Sequence, residues 1–160
     1  MIVYHGSIDI VPKPDIEHSF HNLDFGKGFY VTSVKIQAER WALRKADLLN
    51  KKAIVNIYQY QESDNKYNIK DFFNNDSEWI DFVCSCRDGN EDNKKFDIIQ
   101  GKAADDKVYR VVNFYKTGVW DKERAIREMK AYDLYDQIAF VSQKAIDSLL
   151  VFQNYYEIAK

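Results

Sequence analysis

Short runs of β-branched and aromatic residues alternate along the chain with stretches whose apolar residues return every three or four positions. The first pattern suits a pleated, half-buried surface and predicts strands; the second predicts amphipathic helices. Residues 2–5 read as a strand ending at Gly6, and residues 27–32 (KGFYVT) as a second. Ser33 is then the expected N-cap of a helix reaching about Asn50, with Ile36, Ala38, Trp41, Ala42, Leu48 and Leu49 on its inner stripe. Residues 53–60 (AIVNIYQY) predict a strand and residues 67–69 a short one. Ser77 is expected to cap a helix that turns Trp79, Ile80, Phe82 and Val83 inward.

Residues 96–99 suit a buried strand. Asp105 or Asp106 opens a helix with Val108, Val111, Val112 and Tyr115 inward, and a helix over 121–130 follows the turn at Gly118. A strand over 136–141, a short helix over 143–149 and a last strand from 150 to about 156 complete the pattern. The polar run 85–95 (SCRDGNEDNKK) is the best loop and the expected mobile segment. Strands and helices mix without regular β-α alternation, so the fold class is α+β rather than a doubly wound parallel sheet. With no linker or repeat, residues 1–160 read as one domain.

Composition adds little to fold but narrows function. Of 160 residues, 46% are hydrophobic and 15% aromatic, enough to bury a core without disulfide or metal staples. The formal charge of −2 offers no general attraction to nucleic acid or anionic membrane. The first residues lack the basic start and apolar run of a secretory signal, and no stretch has the length of a membrane span, so a cytoplasmic, non-membrane protein is expected. Cys84 and Cys86 form a C-x-C pair with no neighbouring histidine, which reads as idle thiols and not a metal site.

Two segments draw attention for chemistry. Tyr4-His5-Gly6-Ser7 closes the first strand, where the Gly6 peptide can give and take one hydrogen bond each, as a carboxamide requires. Asp24-Phe25-Gly26-Lys27-Gly28-Phe29-Tyr30 leads into the second strand. It is neither a phosphate-cradling loop nor a dinucleotide fingerprint, but its glycines let a ligand approach the backbone.

Taken together with Gln37-Ala38-Glu39-Arg40-Trp41 on the following helix, these segments resemble the ADP-ribosyltransferase superfamily. The branch is the one with a His-Tyr-Glu signature, which includes poly(ADP-ribose) polymerases and diphtheria toxin. The similarity is greater still to small bacterial toxin-like proteins of the same fold. Those also carry a segment like Trp79, Phe82 and Arg87 and a block like that from Gly101 to Tyr109, so the likeness spans residues 3 to about 152.

The resemblance implies split, mainly antiparallel sheets around an NAD cleft with flanking helices. His5 would bond the adenosine ribose of NAD, and Gly6 would hold the nicotinamide carboxamide, with Ser7 and Gly28 lining the site. Tyr30 and Trp41 would sandwich the pyridinium ring, as electron-rich faces hold an electron-poor cation. The signature glutamate is matched by Gln137, which accepts a hydrogen bond but supplies neither charge nor base. His5, Tyr30 and Gln137 are thus the expected catalytic set, with no metal. Asp136 replaces the acid only if its strand bulges, and a Gln137→Glu change is expected to raise NAD turnover. Lys27, Arg87 and Lys107 are candidates for the pyrophosphate, Asp105 and Asp106 for capping or the cleft rim, and His18 and His21 for the surface or the adenine side.

The implied activity is a glycosyltransferase reaction: mono-ADP-ribosylation of a macromolecule, protein or nucleic acid, with nicotinamide released. The implied biology is a bacterial toxin of a toxin–antitoxin or phage-defence system, checked by an antitoxin protein. A catalytically weak NAD-binding module and an NAD glycohydrolase remain the alternatives, kept open by Gln137.

Overall fold

The computed structural model describes residues 1–19, 23–62, 66–132 and 135–159. Its strands are β1 (Ile2–Ser7), β2 (Phe29–Val31), β3 (Ala53–Tyr60), β4 (Ile69–Asp71), β5 (Ile98–Lys102), β6 (Asp136–Phe140) and β7 (Leu150–Ile158). The helices are α1 (Lys35–Leu49), α2 (Asp76–Arg87), α3 (Asp106–Lys116), α4 (Lys122–Met129) and α5 (Gln143–Leu149). This is an α+β chain with two sheets, one ordered β1-β3-β7 and the other β2-β6-β5-β4. All neighbours are antiparallel except β4 and β5, which run parallel.

The sheets meet where Tyr4 and Thr32 exchange both backbone hydrogen bonds, at 2.8 and 2.9 Å. Directly opposed residues share a face, so the two sheets make one bent surface with two sides. On one side Val3, Phe29, Val31, Tyr58, Ile98, Ile138 and Phe140 form an aromatic-rich core closed by α5. On the other, α1 covers the first sheet, while α2, α3 and α4 cover the second.

The helix caps show where local signals mislead. Val34, not Ser33, precedes α1, and no side chain caps it; the Ser33 amide bonds Asp136 instead. Asn75 takes the place expected of Ser77 and accepts from the Glu78 amide. Asp105 does cap α3, accepting from Lys107 and Val108 at 3.1 and 3.0 Å. The expected inner stripe of α1 is corrected as well. Ala38, Ala42 and Ala46 are buried, whereas Ile36, Leu48 and Leu49 face solvent, because only small residues fit a helix lying this close to β1.

The run from 85 to 95 is tied down rather than a plain loop. It contains the last turn of α2 and a 3₁₀ turn at Asp92–Lys95, and buried Asn93 donates to the Lys27 carbonyl at 3.1 Å. Among the described residues no helix is long and apolar enough to cross a membrane.

Candidate active site at the fork between the sheets

Strand geometry leaves Gly6 without a strand partner on its β2 side. Met1 exchanges hydrogen bonds with Tyr60 and Tyr4 with Thr32, so odd residues of β1 bond β3 and even ones face β2. Gly6 therefore points its N–H and C=O toward β2, where Tyr30 would be its partner. The strands part at that point. The His5 side chain fills the place of the next rung, its Nδ1 donating to the Tyr30 carbonyl at 2.6 Å. We call this opening the fork.

His5 is held in one tautomer. A carbonyl only accepts, so Nδ1 carries the proton and Nε2 presents a lone pair. The ring stacks on Phe29 at 4.4 Å. Burial, with help from the nearby Lys45 charge, lowers its pKa to about 3, so the imidazole is neutral at ordinary pH. Among the described residues none bonds Nε2 and none keeps a polar side-chain atom both buried and unsatisfied, so Nε2 is an unused acceptor that is not sealed off.

Gly6 has to be glycine. A Cβ there would lie 2.1 Å from the Ala38 carbonyl oxygen and 3.0 Å from the Trp41 Cβ, which sets the half-buried indole beside the Gly6 peptide. One helical turn beyond Trp41, Lys45 extends its ammonium to the Gly6 carbonyl at 2.8 Å.

Tyr30 lies on the α1 side of the bent surface, across the fork from Gly6 and half-buried against the α2–α4 core. Its hydroxyl accepts from the Phe25 amide at 2.9 Å and donates to the Gly26 carbonyl at 2.6 Å. Gly26, at φ 74°, makes the turn that brings its carbonyl there. Burial first, then the Asp24 charge, pushes the phenol well above its ordinary range and keeps it protonated. Neither Tyr30 nor Trp41 stacks on another aromatic ring among the described residues.

Gln137 shares the Tyr30 face, because Tyr30 opposes Ala139 on β6 and Gln137 is two residues away. Its Nε2 donates to Asp24 Oδ2 at 2.9 Å and to the Lys102 carbonyl at 3.2 Å, which orients Oε1 as a spare acceptor. Asp136 is not the missing acid. β6 runs without a bulge, and the Asp136 carboxylate is taken by the Thr32 hydroxyl at 2.6 Å and the Ser33 amide.

Asp24 is the residue that sequence reasoning missed. Buried beneath the fork, it accepts from Arg87 Nε at 2.8 Å, from Arg87 Nη2, from the Ala104 amide at 2.9 Å and from Gln137. A buried carboxylate is stable when fully partnered, as here. Only its place in the loop block hinted at this, since its partners lie far along the chain. Arg87 is thereby committed inward and not to a pyrophosphate. A glutamate at 137 would meet Asp24 head-on, so the expected gain from Gln137→Glu is withdrawn.

The remaining sequence candidates spread out. The Ser7 hydroxyl accepts from the Asp9 amide at 3.3 Å. Gly28 packs against the Phe140 carbonyl, where a Cβ would sit 2.9 Å from the oxygen, and donates to Ser19 Oγ. Lys27 pairs with Glu17, exposed Lys107 lies 6.0 Å from the Tyr132 ring centroid, and exposed His18 bonds Asp15. Trp79 is a core residue donating to the Lys102 carbonyl, with Phe82 packed among other phenylalanines. Cys84 and Cys86 are free thiols whose pKa values burial raises, that of Cys86 to about 12. His21 and the Asp106 side chain lie outside the described residues. Among the described residues no cluster of acids, histidines and cysteines suits a metal ion. A separate hollow of about 530 Å³, with Phe72, Phe82 and Phe96 in its wall, lies outside the fork.

Residues 1–152 match the family described as "Protein of unknown function (DUF3990)". The chain belongs to that family. No curated protein and no solved structure matches it. The matched span takes in every residue of the fork, from His5 to Gln137.

Proposed function

We propose that this protein binds NAD at the fork and transfers its ADP-ribose unit to a macromolecular acceptor as a mono-ADP-ribosyltransferase. The observation that carries the reading is the convergence of unspent hydrogen-bonding capacity where β1 and β2 part. His5 Nε2 and the Gly6 N–H border it, the Gly6 carbonyl is held by Lys45, Trp41 stands beside Gly6, and Tyr30 and Gln137 lie on the same side of the sheet. Split, mainly antiparallel sheets joined at one edge support the ADP-ribosyltransferase-like fold that the sequence resemblance implies.

In the transfer, the bond between ribose C1′ and the nicotinamide nitrogen breaks and nicotinamide leaves with the electron pair. The acceptor nucleophile bonds C1′ and loses its proton to a base of its own or to water. The chain's residues orient and hold. Gly6 takes the carboxamide through both peptide groups, His5 Nε2 accepts from a ribose hydroxyl, and Gln137 Oε1 accepts from the hydroxyl nearer the reacting carbon. Tyr30 supplies a flat electron-rich wall worth about 1 kcal/mol or more toward a cation. A role as a toxin held by an antitoxin belongs to the same proposal.

A second reading, an NAD-binding module with little turnover, has its own support. Among the described residues no uncommitted carboxylate borders the fork: Asp136 is bound by Thr32 and Ser33, and Asp24 by Arg87. Labelled NAD incubated with the protein and a bacterial lysate, then fractionated into protein, RNA and DNA, separates the readings. Label in one fraction, lost in Tyr30→Ala, supports transfer. Free ADP-ribose without labelled macromolecule indicates hydrolysis. Binding without either product favours the module, and no binding ends the proposal.

A further inference from the structure

We infer that Lys45 is an anion-binding residue, whose ammonium receives a phosphate group of the ligand that fills the fork. The lysine stem runs along the exposed part of α1, yet Nζ is drawn to the carbonyl of buried Gly6 at 2.8 Å. Among the described residues no carboxylate comes within ion-pair distance of it. Loss of hydration at that position lowers its pKa. The lysines and arginines suggested by sequence for this task have other partners: Lys27 has Glu17, Arg87 has Asp24, and Lys107 sits by Tyr132.

A cation whose partner is one neutral carbonyl is an unfinished arrangement, because the carbonyl brings no counter-charge. An anion beside Gly6 and His5 completes it. His5 cannot be that anion's partner, since it is neutral and offers only a lone pair outward. Among the described residues Lys45 is therefore the cation that bonds the Gly6 carbonyl and whose charge acts on His5, the residues proposed for carboxamide and for ribose. A dinucleotide carries its phosphates between those two groups. As the ammonium turns to phosphate it releases the Gly6 carbonyl, which becomes free to accept from a carboxamide N–H.

This inference rests on the NAD reading for the ligand's identity, but not for its charge. The test is calorimetric titration of the full chain and of Lys45→Met with NAD, ADP-ribose, nicotinamide and inorganic pyrophosphate. Lys45→Met removes a charge from a largely exposed side chain, and an unchanged melting temperature verifies the fold. NAD and ADP-ribose are expected to bind about tenfold to a hundredfold more weakly to the variant. Pyrophosphate binding is expected to vanish and nicotinamide binding to persist. Lys45→Arg, which keeps the charge, is expected to retain most of the NAD affinity. NAD binding that is equal in wild type and Lys45→Met overturns the inference while leaving the NAD reading standing. Pyrophosphate binding that depends on Lys45 in a protein that ignores NAD does the reverse. A wild type that binds neither overturns both.

Discussion

The two sides of the bent sheet differ most where the sheets join. On one side Phe29 stacks on His5, Tyr58 meets Phe29 edge-on and Phe140 meets Tyr60, so aromatic rings seal the junction. On the other side, within the same strands, lie Gly6, whose peptide has no strand partner toward β2, Tyr30 and Gln137. Alternation along β1, β2 and β6 sends successive residues to opposite sides, so a few residues build both a rigid floor and a receptive surface. Stability is concentrated in the first and ligand capacity in the second. His5 belongs to both: its ring packs on the sealed side, while Nε2 stays open.

The comparison breaks most severely if the sealed side is emptied. Phe140→Ala removes a fully buried ring and is expected to cost about 4 kcal/mol in denaturant unfolding. Gln137→Ala, on the same strand but facing the other way, is expected to cost clearly less. Acid tests the residue shared by both sides. Folded His5 has a pKa of about 3 against an ordinary 6.5, so between these values the unfolded chain binds a proton that the folded chain does not. Its contribution is intact above pH 6.5 and drains away as pH falls toward 3, on the order of 5 kcal/mol in all. His5→Gln should flatten that part of the stability–pH curve.

How far the sequence predicted this arrangement depends on the range of the contacts. Strand β3, helix α5 and the Asp105 cap follow from local alternation and capping chemistry, and the structure has them where expected. Ser77 failed as a cap because Asn75 took the position, and Ser33 failed because α1 starts one residue later, after Val34, with no side-chain cap. The inner stripe of α1 was misread because hydrophobicity favours leucine, whereas close approach to Gly6 selects alanine. Gly6 and Tyr30 were legible as a pair only through the family-like motif. Asp24 was legible only as a member of the loop block and Lys45 not at all, since each gains meaning from partners that sequence spacing does not bring near.

Smaller changes sharpen the comparison. Gly6→Ala drives a methyl into the α1 backbone and is expected to cost about 2 kcal/mol while closing the fork to ligand. Thermal unfolding reads the first effect and NAD titration the second. Tyr30→Phe deletes the hydroxyl's bonds to Phe25 and Gly26 but keeps the ring, so a loss of about 1 kcal/mol with retained NAD binding is expected. Loss of binding in Tyr30→Phe would mean that the loop held by the hydroxyl, and not the ring face, carries recognition.

The most direct test of the account is a crystal structure of the protein soaked with nicotinamide. The account predicts the ring flat against Tyr30, near Trp41, with its carboxamide on the Gly6 peptide. A ring seated instead among Phe72, Phe82 and Phe96, or no bound ring at saturating concentration, would contradict it.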